Sequence, residues 1–216
     1  MVSCCGGSSK VHAERAVTLL VVGASGAGKS TLLKLLQRRF EAAAAHKKKK
    51  KKAPSKKKGA PAPEEAPEAA GALPATRSTV GVEVENVSTP CARVMLQEVG
   101  GPMTLMWPRF YGPCAAILYV IDAADLSRLA AAWVELLMLL DDEKSRGKKV
   151  TVVLNKADAA PDATRTAKRF LRLHALDADR VSVLEGSLAD ATFVDDVRGV
   201  VLAAAAAAPE GAPERR

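Results

Sequence analysis

The sequence predicts an α/β fold built on a mostly parallel, six-stranded sheet flanked by helices on both faces. Three observations predict it. Strand-like and helix-like patterns alternate along the chain in the order β-α-β-β-α-β-α-β-α-β-α, an alternation that buries a parallel sheet between helices. The first strand runs into a glycine-rich stretch that opens a helix, Gly23-Ala24-Ser25-Gly26-Ala27-Gly28-Lys29-Ser30. Of the 216 residues, 48% are hydrophobic and 26% charged, the balance of one globular domain. Only 4% are aromatic, so the core must be built mainly from Leu, Val and Ala.

Each element follows from its pattern. Residues 16–23 are an apolar run of strand length that ends in glycine. Residues 30–40 place Leu32, Leu33, Leu36 and Phe40 on one helical face. Residues 80–87 alternate Val82 and Val84 with Glu83 and Glu85, as a half-buried strand does. Residues 92–99 form its hairpin partner across a turn at Ser88-Thr89-Pro90, which puts one antiparallel strand at the sheet edge. Residues 115–121 read as a central strand. Leu126, Leu129, Trp133, Leu136, Leu137 and Leu140 make the apolar stripe of a long helix. Residues 150–154 are a strand, 162–174 a helix and 181–184 a strand. Phe193, Val194, Val197, Val200, Val201 and Ala204 line a closing helix. Trp133 belongs to the core, and Trp107 serves equally well as core or as partner contact.

The formal net charge is +8, yet residues 42–76 alone hold nine Lys and three Glu, a local +6. The basicity therefore belongs to one segment, and a nucleic-acid partner is not expected. That segment is Ala, Lys, Pro, Glu and Gly in low-complexity order, which cannot bury enough apolar surface to offset its ordering entropy. It is expected to be a disordered insertion in a single domain spanning 16–208, with 1–15 a short flexible N-terminus and 209–216 a disordered tail. Its lysines read first as a solvated insertion in a surface loop, with a nuclear or nucleolar signal, an RNA contact or an anchor to an acidic membrane surface as the alternatives. No apolar run approaches the roughly 18 residues that cross a bilayer, and residues 1–10 lack the apolar core of a secretory signal. Cys4, Cys5, Cys91 and Cys114 show no zinc or disulfide spacing, so a reduced, cytoplasmic protein is expected, with no obligate oligomer.

The glycine-rich stretch matches G-x-x-x-x-G-K-[ST] between a strand and a helix, and the chemistry needs that spacing. Glycines let successive backbone N–H groups of residues Gly23, Ala24, Ser25, Gly26, Ala27 and Gly28 turn inward around a phosphate. The helix start at Lys29, Ser30 and Thr31 adds its partial positive charge. The Lys29 ammonium is expected to bridge β- and γ-phosphates, and the Ser30 hydroxyl to bind Mg²⁺. The loop implies a nucleoside triphosphate without choosing the base. That choice comes from Asn155-Lys156-Ala157-Asp158 at the carboxyl end of a later strand, where side chains face a ligand crevice. Asp158 can accept from N1–H and N2–H₂ of guanine together, and adenine offers no such donor pair. Asn155 can tie this strand end to the phosphate loop, and the Lys156 stem can lie over the purine.

With these two motifs in place, Thr79-Val80-Gly81-Val82-Glu83-Val84-Glu85 resembles the first switch of Arf-family small GTPases. Leu96-Gln97-Glu98-Val99-Gly100-Gly101-Pro102 resembles their second switch. Trp107-Pro108-Arg109-Phe110-Tyr111 and Ile121-Asp122-Ala123-Ala124-Asp125 fit the helix and strand that follow. The resemblance spans about residues 16–205 apart from the insertion. It implies the P-loop NTPase, Ras-like small GTPase fold, GTP and GDP as ligands, and Mg²⁺ held by Ser30 and Thr79, with Glu98 reaching it through a shifted water. It gives Gly101 N–H to the γ-phosphate and the backbone of Ser187-Leu188 to the guanine oxygen. Pro102 stands where the family has the Gln that orients the attacking water, and its side chain has neither donor nor acceptor. Slow intrinsic hydrolysis follows, and no residue is identified as catalytic. The resemblance further implies effector proteins that bind the GTP state, an exchange factor, a GTPase-activating protein, and a place in intracellular or ciliary membrane traffic, peripheral to a membrane. Two alternatives stay open: a guanine-nucleotide-binding scaffold without turnover, and a P-loop enzyme that uses ATP.

Overall fold

The computed structural model describes residues 15–51, 73–74 and 79–208. The elements in chain order are β1 (Ala16–Val22), α1 (Lys29–Lys51), β2 (Val82–Ser88), β3 (Arg93–Val99), α2 (Pro108–Tyr111), β4 (Ala116–Asp122), α3 (Leu129–Asp141), β5 (Lys149–Asn155), α4 (Pro161–Phe170), β6 (Val181–Glu185) and α5 (Ala191–Ala207), with short 3₁₀ turns between several of them. The strands form one six-stranded sheet in the order β2-β3-β1-β4-β5-β6. Every pairing is parallel except β2 with β3, which is the edge hairpin expected from the sequence. Thr89 builds its turn, its hydroxyl accepting from the Ala92 N–H at 3.0 Å and its N–H donating to the Ala92 carbonyl at 2.9 Å.

The two-residue period of the central strands divides the core into two layers. Leu19, Val21, Leu118 and Val120 pack on one face with Leu32, Leu36 and Phe40 of α1 and Phe193, Val197 and Val201 of α5. Leu20, Val22, Ile117, Tyr119 and Ile121 pack on the other with Leu129, Leu136 and Leu139 of α3 and Ala167 of α4. Burying each large apolar side chain contributes about 1.5–3 kcal/mol. Winding proceeds from β1 to β3 on one side and to β4 on the other, so strand order reverses at β1. A crevice opens at such a reversal, outside the carboxyl ends of the strands.

Several details differ from the sequence expectation. Helix α1 continues to Lys51, ten residues into the stretch 42–76 expected to be disordered. Ala42–Ala45 are the strongest helix formers, an existing helix extends without a new nucleus, and lysines at a helix C-terminus complement its dipole. Apart from Leu73 and Pro74, the remainder of that stretch lies outside the described residues, as do the expected N-terminus through residue 14 and the tail 209–216. The buried stripe of α3 is Leu129, Ala132, Leu136 and Leu139, whereas Leu126 and Leu137 are exposed and Trp133 only partly buried. The helix begins at Leu129, which sets its phase, and Ala132 takes a core position that residue type alone hides. Val82 and Val84 are exposed, and β2 buries only Val87. Helix α4 ends at Phe170, broken by Arg172 in the left-handed region at φ 42° before a 3₁₀ turn at Leu173–Ala175. Trp107 is 1% exposed and belongs to the core. Among the described residues, no helix is long and apolar enough to cross a membrane.

Candidate nucleotide site

The loop from Gly23 to Gly28 leaves β1 and enters α1 at the floor of a cleft of about 650 Å³, a size suited to a small ligand. Gly28 has φ +101°, and a Cβ there would stand 2.4 Å from Asn155 Nδ2. Only glycine permits that approach. Asn155 sits buried at the end of β5 and clamps three segments together. Its Nδ2 donates to the Ala27 carbonyl at 2.8 Å, and its Oδ1 accepts from the Leu188 N–H at 3.2 Å.

Lys29 is buried at the first turn of α1, and its Nζ donates to the Gly23 carbonyl at 2.9 Å and the Ala24 carbonyl at 3.0 Å. Burial lowers its pKa, and the charges of Glu98 and Glu135 oppose that shift. The ammonium thus stands inside the loop rather than in bulk water, where a phosphate gains most from it.

Beside it three oxygens converge. Ser30 Oγ donates to Glu98 Oε1 at 2.9 Å and lies 2.9 Å from Thr79 Oγ1. Ser30 has one hydroxyl proton, so with that proton on Glu98 the Thr79 hydroxyl is the donor to Ser30. Glu98, at the end of β3, is 1% exposed, and its Oε2 has no hydrogen-bond partner. Burial pushes its pKa up, against the Ser30 hydrogen bond and the Lys29 charge. An unpartnered buried carboxylate oxygen among hydroxyls fits a hard divalent cation such as Mg²⁺. No group of three His, Cys, Asp or Glu side chains suited to a metal occurs among the described residues. A cation here would therefore take much of its coordination from a bound phosphate and water.

The second switch is folded onto the phosphate loop. A Cβ on Gly101 would stand 2.3 Å from Ser25 N and 2.6 Å from Ser25 Oγ, closer than any side chain can come. Gly100 donates its N–H to the Gly81 carbonyl at 2.9 Å and accepts on its own carbonyl from Trp107 Nε1 at 3.3 Å. Pro102 is the second residue of the 3₁₀ turn Gly101–Met106 and is exposed.

Asp158 and Lys156 border the far end of the cleft with Ala159, Ser187, Leu188 and Ala189. Lys156 adopts φ 63°, and its Nζ pairs with Asp122 Oδ2 at 2.6 Å. Leu188 lines the cleft beside Ser187. Its N–H goes to Asn155, and the neighbouring Ala189 N–H goes to Ser187 Oγ at 3.2 Å. All the residues singled out from the sequence other than Gly23, Ala24, Ala27 and Pro102 line the cleft directly. Asp122 and Arg128 were missed. Arg128 Nη1 donates to the Ser25 carbonyl at 3.0 Å. Asp122 lay within a stretch matched for other reasons, and Arg128 belongs to no spacing pattern.

Residues 69–198 match the ADP-ribosylation factor family. The match begins after the phosphate loop, so the loop stands on its own motif and geometry. The chain is 35% identical over 104 residues to human ADP-ribosylation factor-like protein 16, covering 48% of this chain and 52% of that protein. It is 28% identical over 128 residues to ADP-ribosylation factor-like protein 1 of Caenorhabditis elegans, covering 58% of this chain and 71% of that one. The chain thus spans about half the length of the human relative. Among solved structures, the Arl6 BBS3 small GTPase from Trypanosoma brucei with bound nucleotide analogue GppNp aligns with TM-score 0.64 at 18% identity, covering 88% of this chain and 98% of that chain. At that identity the likeness shows the fold, which is that of an Arf- or Ras-like small GTPase. The sequence match covers more than half of the chain, and the chain belongs to the ADP-ribosylation factor family.

Proposed function

We propose that the chain is a guanine-nucleotide switch that binds GTP and GDP with Mg²⁺ and hydrolyses GTP slowly. The observation that carries this reading is Asn155, which fastens the phosphate loop, the Asp158 strand end and the Leu188 loop into one cleft. A triphosphate on the loop then has its base at Asp158. Loop amides and Lys29 receive the phosphates, and Asp158 selects the purine by accepting from its donor edge. Ser30 and Thr79 would hold Mg²⁺ with Glu98 beside them, and the ion would neutralise charge on the β- and γ-oxygens. In the GTP state Thr79 and Gly101 close toward the γ-phosphate, and its loss frees both loops. Val80 is 88% exposed and Leu105 is 96% exposed, so an effector reading these loops would meet apolar surface next to the sensing residues. An exchange factor would act on the same loops to release GDP. An activating protein would supply the missing transition-state charge with an Arg. Family membership supports a place in membrane traffic, ciliary traffic included, and the lysines at the end of α1 support contact with an acidic membrane surface.

Water positioning is the weak part of this site, because Pro102 cannot orient a nucleophile. Single-turnover hydrolysis of bound GTP tests the reading. The wild-type rate is expected to be low, and Pro102→Gln is expected to raise it by about tenfold or more. A fast wild-type rate unaffected by this substitution would contradict the mechanism. A bound GTP that never turns over would make the chain a scaffold.

A further inference from the structure

Arg128 borders the cleft, and none of the roles above uses it. It ends the 3₁₀ turn Leu126–Arg128, immediately before α3. Its Nη1 donates to the Ser25 carbonyl at 3.0 Å, and its Nε pairs with Asp125 Oδ2 at 3.2 Å. Ser25 is the loop residue against which Gly101 packs. Arg128 therefore enters the cleft on the side of the second switch, whereas Asn155 and Asp158 follow β5, the strand on the far side of β4 from β1. Lys29 is held by two loop carbonyls and Lys156 by Asp122. Among the described residues Arg128 is the only arginine that lines the cleft. Its side chain is 58% exposed, and its ion pair with Asp125 is a surface one, so little holds it in place. The two contacts account for two of the five N–H groups of a guanidinium.

We propose that Arg128 recognises the γ-phosphate of bound GTP, a cation supplied within the chain where Pro102 leaves the second switch without a side-chain donor. The proposal rests on the reading of the cleft as a guanosine triphosphate site. A rotation of the side chain exchanges the neutral Ser25 carbonyl for a charged phosphate oxygen, which adds the attraction of opposite charges to a bond the guanidinium already makes. GDP offers no such acceptor, so Arg128 sets the preference between the two states of the switch. It is a specificity residue for the triphosphate, and it requires no contact with the base.

The test is equilibrium binding of GDP and of non-hydrolysable GppNHp, each with Mg²⁺, to wild-type protein, Arg128→Ala and Arg128→Lys. Arg128→Ala is expected to weaken GppNHp by about tenfold or more while GDP changes by less than about twofold. Arg128→Lys keeps the charge without the planar fork and is expected to fall between. Equal weakening of both nucleotides would make Arg128 a brace between α3 and the phosphate loop and would overturn the proposal. Unchanged binding of both would overturn it as well. A wild-type protein that binds neither nucleotide would instead overturn the reading of the cleft on which the proposal rests.

Discussion

Glu135 carries a carboxyl that burial within α3 pushes above the ordinary glutamate value, against the donation it receives from Tyr119 Oη at 2.9 Å. The Tyr119 hydroxyl has one proton and two acceptors, Glu135 and the Ala132 carbonyl at 3.0 Å. A protonated Glu135 relieves the conflict, because it can donate to Oη while Tyr119 serves Ala132. The native state therefore holds that proton more tightly than the unfolded chain. Its stabilising contribution is full below the ordinary glutamate pKa and is lost as pH rises through the raised value. Glu135→Gln mimics the neutral form. The variant is expected to melt higher than wild type near about pH 8, with the difference closing toward about pH 4. A difference that stays constant across that range would show that the carboxyl is not the cause. At this scale the site was legible where chemistry forces spacing. Lys29, Ser30, Asn155 and Asp158, chosen for what a phosphate and a guanine would demand, all line one cleft. Arg128 and Glu135 were not legible, because each acts through a neighbour that the sequence places far away. The hydrogen bond from the Leu188 amide to Asn155 was not legible either, since the two residues are 33 apart in the chain.

The close approach of Gly101 to the phosphate loop is an element property. Gly101 brings the end of β3 against the phosphate loop because it lacks a side chain. Gly101→Ala would drive a methyl into Ser25 backbone and must push the second switch off the loop. The variant is expected to keep GDP binding and to lose most of its preference for GTP, read by nucleotide titration with Mg²⁺. Retention of that preference would show that the close approach plays no part in sensing. Strands β1, β4 and β5 were legible from their apolar runs, since both faces are covered and most of their residues are core. Strand β2 was placed correctly, but its faces were not. Alternation announced a half-buried strand, yet among the described residues no helix covers Val82 and Val84 at this edge, and they remain exposed. The extent of α1 was hidden by composition. A stretch too polar to build a core can still lengthen a helix that a core already anchors.

Across the whole molecule, α1 joins the phosphate loop at one end to the lysines proposed to meet a membrane at the other. It starts at the phosphate loop with Lys29 and runs 23 residues, about 34 Å at 1.5 Å per residue. The lysines at 47–51 are therefore carried to the end of the helix remote from the phosphates. Surface attachment there would leave the nucleotide cleft open to exchange. Wild-type protein is expected to bind vesicles containing phosphatidylserine, more weakly as salt rises, and to ignore pure phosphatidylcholine. Alanine at 47–51 is expected to remove most of that binding, at about 1 kcal/mol per lysine near the surface. Binding that ignores lipid charge or survives the substitution would rule the contact out. The fold class was legible at this scale because alternation of strands and helices leaves few arrangements. The coming together of two distant loops in one cleft was an expectation that needed the fold to give it distances. The most direct test of that joint pocket is a competition titration of purified protein in Mg²⁺ with GDP, GTP, ADP and ATP. Guanine nucleotides are expected to bind at least about a hundredfold more tightly than adenine nucleotides. Equal affinity for the two purines would contradict the assignment of Asp158 and, with it, the account of the protein as a guanine-nucleotide switch.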